Sequence, residues 1–224
     1  MIELKNVYLR YTKDFNVLQD VSFRIKMGEK AVLYGTEASG KSSLLRTIVG
    51  IETPLKGEVY IKGIPANKVD YKNQVALGFL PSHPAFMENK TLLKNLEYPL
   101  KIRKVNKNLQ NVKINNVLVS YGLTALKDVK VKDLSYFDRI KLCLARFALR
   151  NIEVFVIDDV FKSLNDGESK KIAEYINDLI MVNNATAIVA VSNENLVKKI
   201  GGKKLTIDNG CVTELWLKKH WLKK

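Results

Sequence analysis

Gly35-Thr36-Glu37-Ala38-Ser39-Gly40-Lys41-Ser42 fits the pattern G-x-x-x-x-G-K-[ST] at every fixed position. These residue types at this spacing build a phosphate cradle. Glycines let backbone N–H groups turn toward phosphate oxygens. A helix that starts where the loop ends adds partial positive charge. Lys41 has the reach for β and γ phosphates, and Ser42, followed by Ser43, has the hydroxyl to ligate Mg²⁺. The pattern carries this meaning only between a strand and a helix. Both are present: AVLY (Ala31–Tyr34) reads as a strand and SLLRTIVG as a helix ending near Gly50. The motif therefore points to nucleotide binding, with ATP and Mg²⁺ as ligands.

The elements that must position this loop are legible by periodicity. IELKNVYLRY and VSFRI alternate as strands do, and Met27-Gly28-Glu29-Lys30 turns the chain into AVLY. GEVYIKG and VALGFL read as further strands. From about Phe86 to Val131 the texture becomes helical, in TLLKNLEYPL and NLQNVKINNVLVSYGL. A helix from about Tyr136 to Arg150 precedes VFVIDD, a buried strand ending in two acids. Asp166 to Val182 reads as a helix and ATAIVAVS as a second buried strand. KKLTIDNGCVTEL closes as a hairpin turning at Asp208-Asn209-Gly210. The fold class is α/β: a mixed-sheet P-loop core with an N-terminal antiparallel β subdomain and an α-helical insertion at about 86–150. The 224 residues are read as one domain.

Composition narrows the setting. No run approaches the roughly 18 apolar residues of a membrane span, and MIELKNVYLRY has no signal-peptide apolar region. The two cysteines have no metal-ligand spacing, and Cys143 sits in an apolar helical pattern that predicts burial. The expectation is an intracellular protein. Net charge is +14, and it is uneven. Tyr98–Lys132 holds eight Lys/Arg and one acid, Asp128, and the last nine residues, WLKKHWLKK, hold four lysines and no acid. Solvated faces, an anionic membrane surface or nucleic acid would each account for that.

The order of segments resembles the nucleotide-binding domain of ABC ATPases across essentially the whole chain. YTKDFNVLQDVSFRIKMGEKAVLYG is similar to the family's adenine-stacking strand leading into Walker A, and the resemblance makes Tyr11 the aromatic that stacks on adenine. TLLKNLEYPL resembles the start of the family's helical subdomain. LARFAL followed by VFVIDD resembles the signature helix leading into Walker B. By that match Asp158 holds Mg²⁺ through water, as a cation that takes one or two carboxylates and retains waters. Asp159 stands where the family has the Glu that polarises the attacking water. It is one methylene shorter, and a misplacement near 1 Å can cost about a hundredfold.

Other stations depart from the family. The Gln after VALGFLP is replaced by Ser82, too short to serve Mg²⁺ and water as Gln does, with His83 next. The signature L-S-G-G-Q stands as LSYFD: Ser135 is kept, Tyr136 and Phe137 replace both glycines, and Asp138 brings a negative charge. The switch His is replaced by Asn193, which has no charge and no transferable proton. After Walker B, Asn165 replaces Asp. Phosphoryl transfer is catalysed almost entirely by positioning and charge stabilisation, so these losses predict slow hydrolysis with binding retained.

The resemblance implies a head-to-tail pairing with a second ABC ATPase subunit, homo- or heterodimeric, each ATP lying between one Walker A and the other signature. It also implies an integral membrane subunit as partner and a peripheral place on the cytoplasmic face of the cell membrane. On this reading the chain is an ATP-binding subunit of an ABC transporter or transporter-like complex. The alternative of the same fold is a non-hydrolysing ATP sensor or scaffold. A soluble ABC-type protein acting on nucleic acid calls for two P-loop cores or long coiled-coil insertions, and neither is present. The segment Tyr98–Lys132 and the tail, with Leu217 and Trp221 four apart, are expected to face the membrane or a membrane subunit.

Overall fold

The N-terminal alternation forms two long antiparallel strands, β1 (Ile2–Thr12) and β2 (Phe15–Ile25). In this computed structural model residues 1–12 and 15–215 are described. Ile2, Leu4, Val7 and Leu9 are buried, so the inward spacing along β1 is not a strict two. A bulge at Asn6 resolves the phase. Asn6 takes φ +47°, its N–H donates to Ser22 Oγ at 2.8 Å, and its side chain donates to Asp20 Oδ1 at 2.8 Å. One extra residue returns the following side chains to the core face.

β4 (Lys56–Ile61) and β5 (Ile64–Pro65) complete a four-stranded sheet in the order β2-β1-β4-β5. The second sheet has six strands in the order β10-β9-β3-β8-β7-β6. These are β3 (Lys30–Tyr34), β6 (Leu77–Leu80), β7 (Val154–Ile157), β8 (Thr186–Val191), β9 (Lys203–Asp208) and β10 (Cys211–Leu215). All pairs are parallel except β9 with β10, joined at Asn209-Gly210.

β7 and β8 are buried at every position, as strands covered on both faces must be. Period two still sorts their side chains. Val156, Ile188 and Leu33 face a core shared with the antiparallel sheet and α1 (Lys41–Ile48). Phe155, Ile157, Val189 and Val191 face the core built by α2 (Leu92–Ile102), α4 (Tyr136–Ala148) and α5 (Asp166–Val182). α3 (Lys107–Ser120) packs on α2 and α4, and α6 (Glu194–Ile200) follows β8. The sequence reading identified neither α6 nor β5, both short. It began the strand of β6 at Val75, two residues early.

The helix starts are set by side chains. Asn165 caps α5 in a reciprocal box: its Oδ1 accepts from Glu168 N at 2.9 Å, and its N–H donates to Glu168 Oε2 at 3.0 Å. Thr91 caps α2, Ser135 caps α4 and Asn193 caps α6. Cys143 is buried as expected and Cys211 is exposed. The basic run Tyr98–Lys132 covers α3 and its flanks, where Lys101 pairs with Glu97 at 2.8 Å. The tail with Leu217 and Trp221 lies outside the described residues. Among the described residues no helix is long and apolar enough to cross a membrane.

Candidate functional site

Parallel strands deliver their C-terminal ends to one side of a sheet, and here β3, β8 and β7 lie side by side. The loop after β3 runs through Gly35–Gly40 into α1. Gly35 admits no side chain, because a Cβ there would sit 2.5 Å from the Ile207 carbonyl and 2.6 Å from Ser39 Oγ. Gly40 takes φ +103°, a left-handed conformation, directly before the first helical residue. The strand, loop and helix order that the motif requires is therefore met, with N–H groups of the helix start left for a ligand.

Lys41 is buried at the base of this loop. Its Nζ donates to the carbonyls of Gly35 at 2.7 Å and Thr36 at 2.6 Å, and lies 3.9 Å from Asp159 Oδ2. Burial pushes its pKa down, and the Asp159 carboxylate works against that shift. Ser42 Oγ donates to Asp158 Oδ1 at 3.0 Å. Burial pushes the Asp158 carboxyl up, opposed by the Ser42 hydrogen bond and by Arg46 and Lys41. Asp158 and Asp159 are almost wholly buried. A cavity of about 180 Å³ is lined by Ala38–Ser43, Ser82, Asp158, Asp159, Val17 and Lys162.

The donor set fits a phosphate-bound hard cation. Ser42 and Asp158 offer oxygen ligands on one side, and Lys41 with backbone N–H groups offers anion binding on the other. Among the described residues no group of three His, Cys, Asp or Glu forms an all-protein metal cage. Tyr11 is 56% exposed at the same end. Its hydroxyl donates to Ser43 Oγ at 3.1 Å and to Glu52 Oε1 at 3.1 Å.

Of the residues singled out from sequence, the structure brings Ala38 to Ser43, Ser82, Asp158 and Asp159 together around one cavity, sets the Gly35 and Thr36 carbonyls against Lys41 Nζ, and places Tyr11 beside Ser43. Ser135 and Asn193 lie apart from that cavity. Ser135 Oγ accepts from Asp138 N at 3.1 Å and donates to Asp138 Oδ2 at 2.6 Å. Asn193 Oδ1 accepts from Asn195 N at 2.9 Å, and Asn193 lines a different hollow with Asp166 and Ser169. The negative charge of Asp138 is also answered within the chain, by Lys141 Nζ at 2.8 Å from Oδ1.

Two residues at the site were not found by sequence reasoning. Ser192, the residue before Asn193, donates its hydroxyl to Asp159 Oδ2. Lys162 lines the cavity and pairs with Glu37 at 3.0 Å. The available signal was a lysine three residues past the acid pair, in VFKSLND. Tyr136 points inward from the start of α4. Its hydroxyl donates to the Ser82 carbonyl at 2.9 Å, with the Val160 carbonyl at 3.2 Å.

A family model described as ABC transporter matches residues 18–162. Curated relatives include the methionine import ATP-binding protein MetN of Clostridioides difficile, 29% identical over 219 residues, 96% of this chain and 68% of the relative. MetN 1 of Oenococcus oeni is 25% identical over 221 residues, 96% of this chain and 63% of the relative. The sulfate/thiosulfate import ATP-binding protein CysA of Synechococcus elongatus is 25% identical, covering 90% of this chain and 58% of the relative. The chain spans about three fifths to two thirds of the length of these relatives. Among solved structures, a dimeric bacterial ABC transporter cassette superposes with a TM-score of 0.84 at 25% identity, covering 97% of this chain and 99% of that one. An ATP-binding subunit of an ABC transporter gives 0.82 at 21% identity, over 97% and 90%, a likeness of fold.

Proposed function

We infer the function from one premise: the chain belongs to the ABC transporter family, whose model matches residues 18–162 of the 224. The chain is an ATP-binding subunit of an ABC transporter or transporter-like membrane complex, working as one nucleotide-binding unit with slow hydrolysis. The observation that carries this reading is the Ser42–Asp158 hydrogen bond, 3.0 Å, beside buried Lys41. It joins the two cation-ligating positions across the sheet. Gly35, Thr36, Glu37, Ala38, Ser39, Gly40 and Ser43 shape the phosphate cradle, Lys41 takes the β and γ phosphates, and Ser42 with Asp158 holds Mg²⁺. Tyr11 offers its exposed ring to adenine. ATP supplies the scissile phosphoanhydride, and Mg²⁺ neutralises charge on it.

Slow turnover is supported by what the remaining side chains do. Asp159, to which this reading gives the attacking water, is engaged by Ser192 and faces Lys41. Ser135 and Asn193 commit their side chains to helix caps. The partners under this reading are a second ABC ATPase subunit, the same chain or another, and an integral membrane subunit. The place is the cytoplasmic face of the membrane. Engagement of Asp159 also favours a second reading, an ATP sensor that binds without hydrolysing.

The test titrates a fluorescent ATP analogue with Mg²⁺ against the wild type and Lys41→Ala, then measures steady-state phosphate release. Loss of binding in Lys41→Ala is the expected result. Equal affinities overturn the site. Turnover above the Lys41→Ala background separates the ATPase from the sensor.

A further inference from the structure

The mouth of the cradle carries an ion pair that the chemistry above leaves unused. Lys162 Nζ lies 3.0 Å from Glu37 Oε1. Glu37 sits within the P-loop, and Lys162 lies three residues past Asp159 on the segment leaving β7. The pair thus ties the P-loop to the segment leaving β7 beside the cavity that Lys162 lines. Its side chains are 45% and 78% exposed. An exposed pair of this kind adds little to stability, so exchanging its partner costs little.

Lys162 has the geometry to make that exchange. It lines the cavity with Lys41, Ser42, Asp158 and Asp159, and the cations among those lining residues are Lys41 and Lys162. The Glu37 hydrogen bond, with the charges of Asp159 and Asp158, pushes the Lys162 pKa up and keeps it an ammonium. Lysine is a compact point charge on a flexible four-carbon stem, suited to swing between acceptors. A terminal phosphate outcompetes one carboxylate, since it carries more charge and more acceptor oxygens.

We propose that Lys162 is a terminal-phosphate ligand held in reserve by Glu37, passing from carboxylate to phosphate when a nucleoside triphosphate enters the cradle. The proposal rests on the reading that the cradle binds nucleotide. It gives the cradle a second cation beside Lys41.

The experiment measures dissociation constants of MgATP and MgADP on the full chain for wild type, Lys41→Ala, Lys162→Gln, Lys162→Arg, Glu37→Gln and the Lys162→Gln/Glu37→Gln double variant. Lys162→Gln is expected to weaken MgATP about tenfold and MgADP less than about twofold, as removal of one charge-assisted hydrogen bond at a half-exposed site should. Lys162→Arg keeps the preference for triphosphate. Glu37→Gln tightens MgATP about two- to threefold, and the double variant abolishes that gain. MgATP affinity within twofold of wild type in Lys162→Gln, with binding abolished in Lys41→Ala, overturns this proposal and leaves the nucleotide site standing. Equal weakening of MgATP and MgADP overturns the terminal-phosphate assignment. Lys41→Ala binding like wild type removes the nucleotide site itself, and the proposal with it.

Discussion

The Tyr136 hydroxyl donates to the Ser82 carbonyl at 2.9 Å, joining the start of α4 to the segment after β6 across 54 residues of sequence. The Val160 carbonyl lies 3.2 Å from the same oxygen, so one side chain touches two segments that border the cradle. Burial, with Asp159 and Asp158 nearby, pushes the tyrosine pKa up to about 12, so the hydroxyl keeps its proton and remains a donor. The aromatic that replaces a signature glycine therefore does structural work inside its own chain.

Tyr136→Phe should accordingly destabilise the fold by about 1 kcal/mol, the net value of one hydrogen bond with acceptors left short of a partner. Urea denaturation reads this as a lower midpoint at unchanged slope. Tyr136→Gly, which restores the family residue, should cost more, since it also empties packed volume. A glycine variant at least as stable as wild type would contradict the assignment.

Asp159→Glu is expected not to restore brisk hydrolysis. Asp159 is 3% exposed, takes φ +33° and is in contact with Ser192 and Lys41. One added methylene in such a site costs about 1–3 kcal/mol of repacking. The departures at Ser82, Tyr136-Phe137, Asp138 and Asn193 also remain. Phosphate release at roughly 1–10 s⁻¹ from that single change would refute the positioning argument.

Asp158→Asn separates stability from binding. The folded carboxyl is raised by burial. A group raised in this way favours the fold while protonated, below its unfolded pKa, and loses that contribution as pH rises through the folded pKa. At neutral pH the ionised Asp158 is therefore a cost, and Asn relieves it while keeping an acceptor for Ser42. The nucleotide-free variant should gain about 1 kcal/mol, or about 2–4 °C in Tm, and lose Mg²⁺-dependent nucleotide affinity. In the wild type, lowering pH should weaken MgATP binding from a pH above the ordinary aspartate value, because the cation needs the ionised form.

The two cysteines should react unequally. Burial pushes the Cys143 thiol up to about 12, so it holds its proton at neutral pH, while Cys211 is exposed. A thiol reagent at pH 8 should label one cysteine per native chain, at Cys211, and both in denaturant. Rapid native labelling of Cys143 would show that α4 opens readily.

Gly35 to Ser42 was legible from sequence because its chemistry is local: consecutive residues form the cradle, and the flanking periodicities set a strand before it and a helix after it. The buried strands around Val156 and Ile188 were legible for the same reason, as short apolar runs. What occupies the acids at the end of β7 was not. That depends on the lateral order β3-β8-β7, which puts three distant strand ends side by side, and no single segment encodes a lateral order. Ser192 and Asn193 show the finest case. They are adjacent, yet successive residues leaving a strand point opposite ways. The serine meets Asp159 while the asparagine turns away to cap α6. The pairing of Glu37 with Lys162 was decided the same way, by two loops that meet only after the parallel strands beneath them have paired.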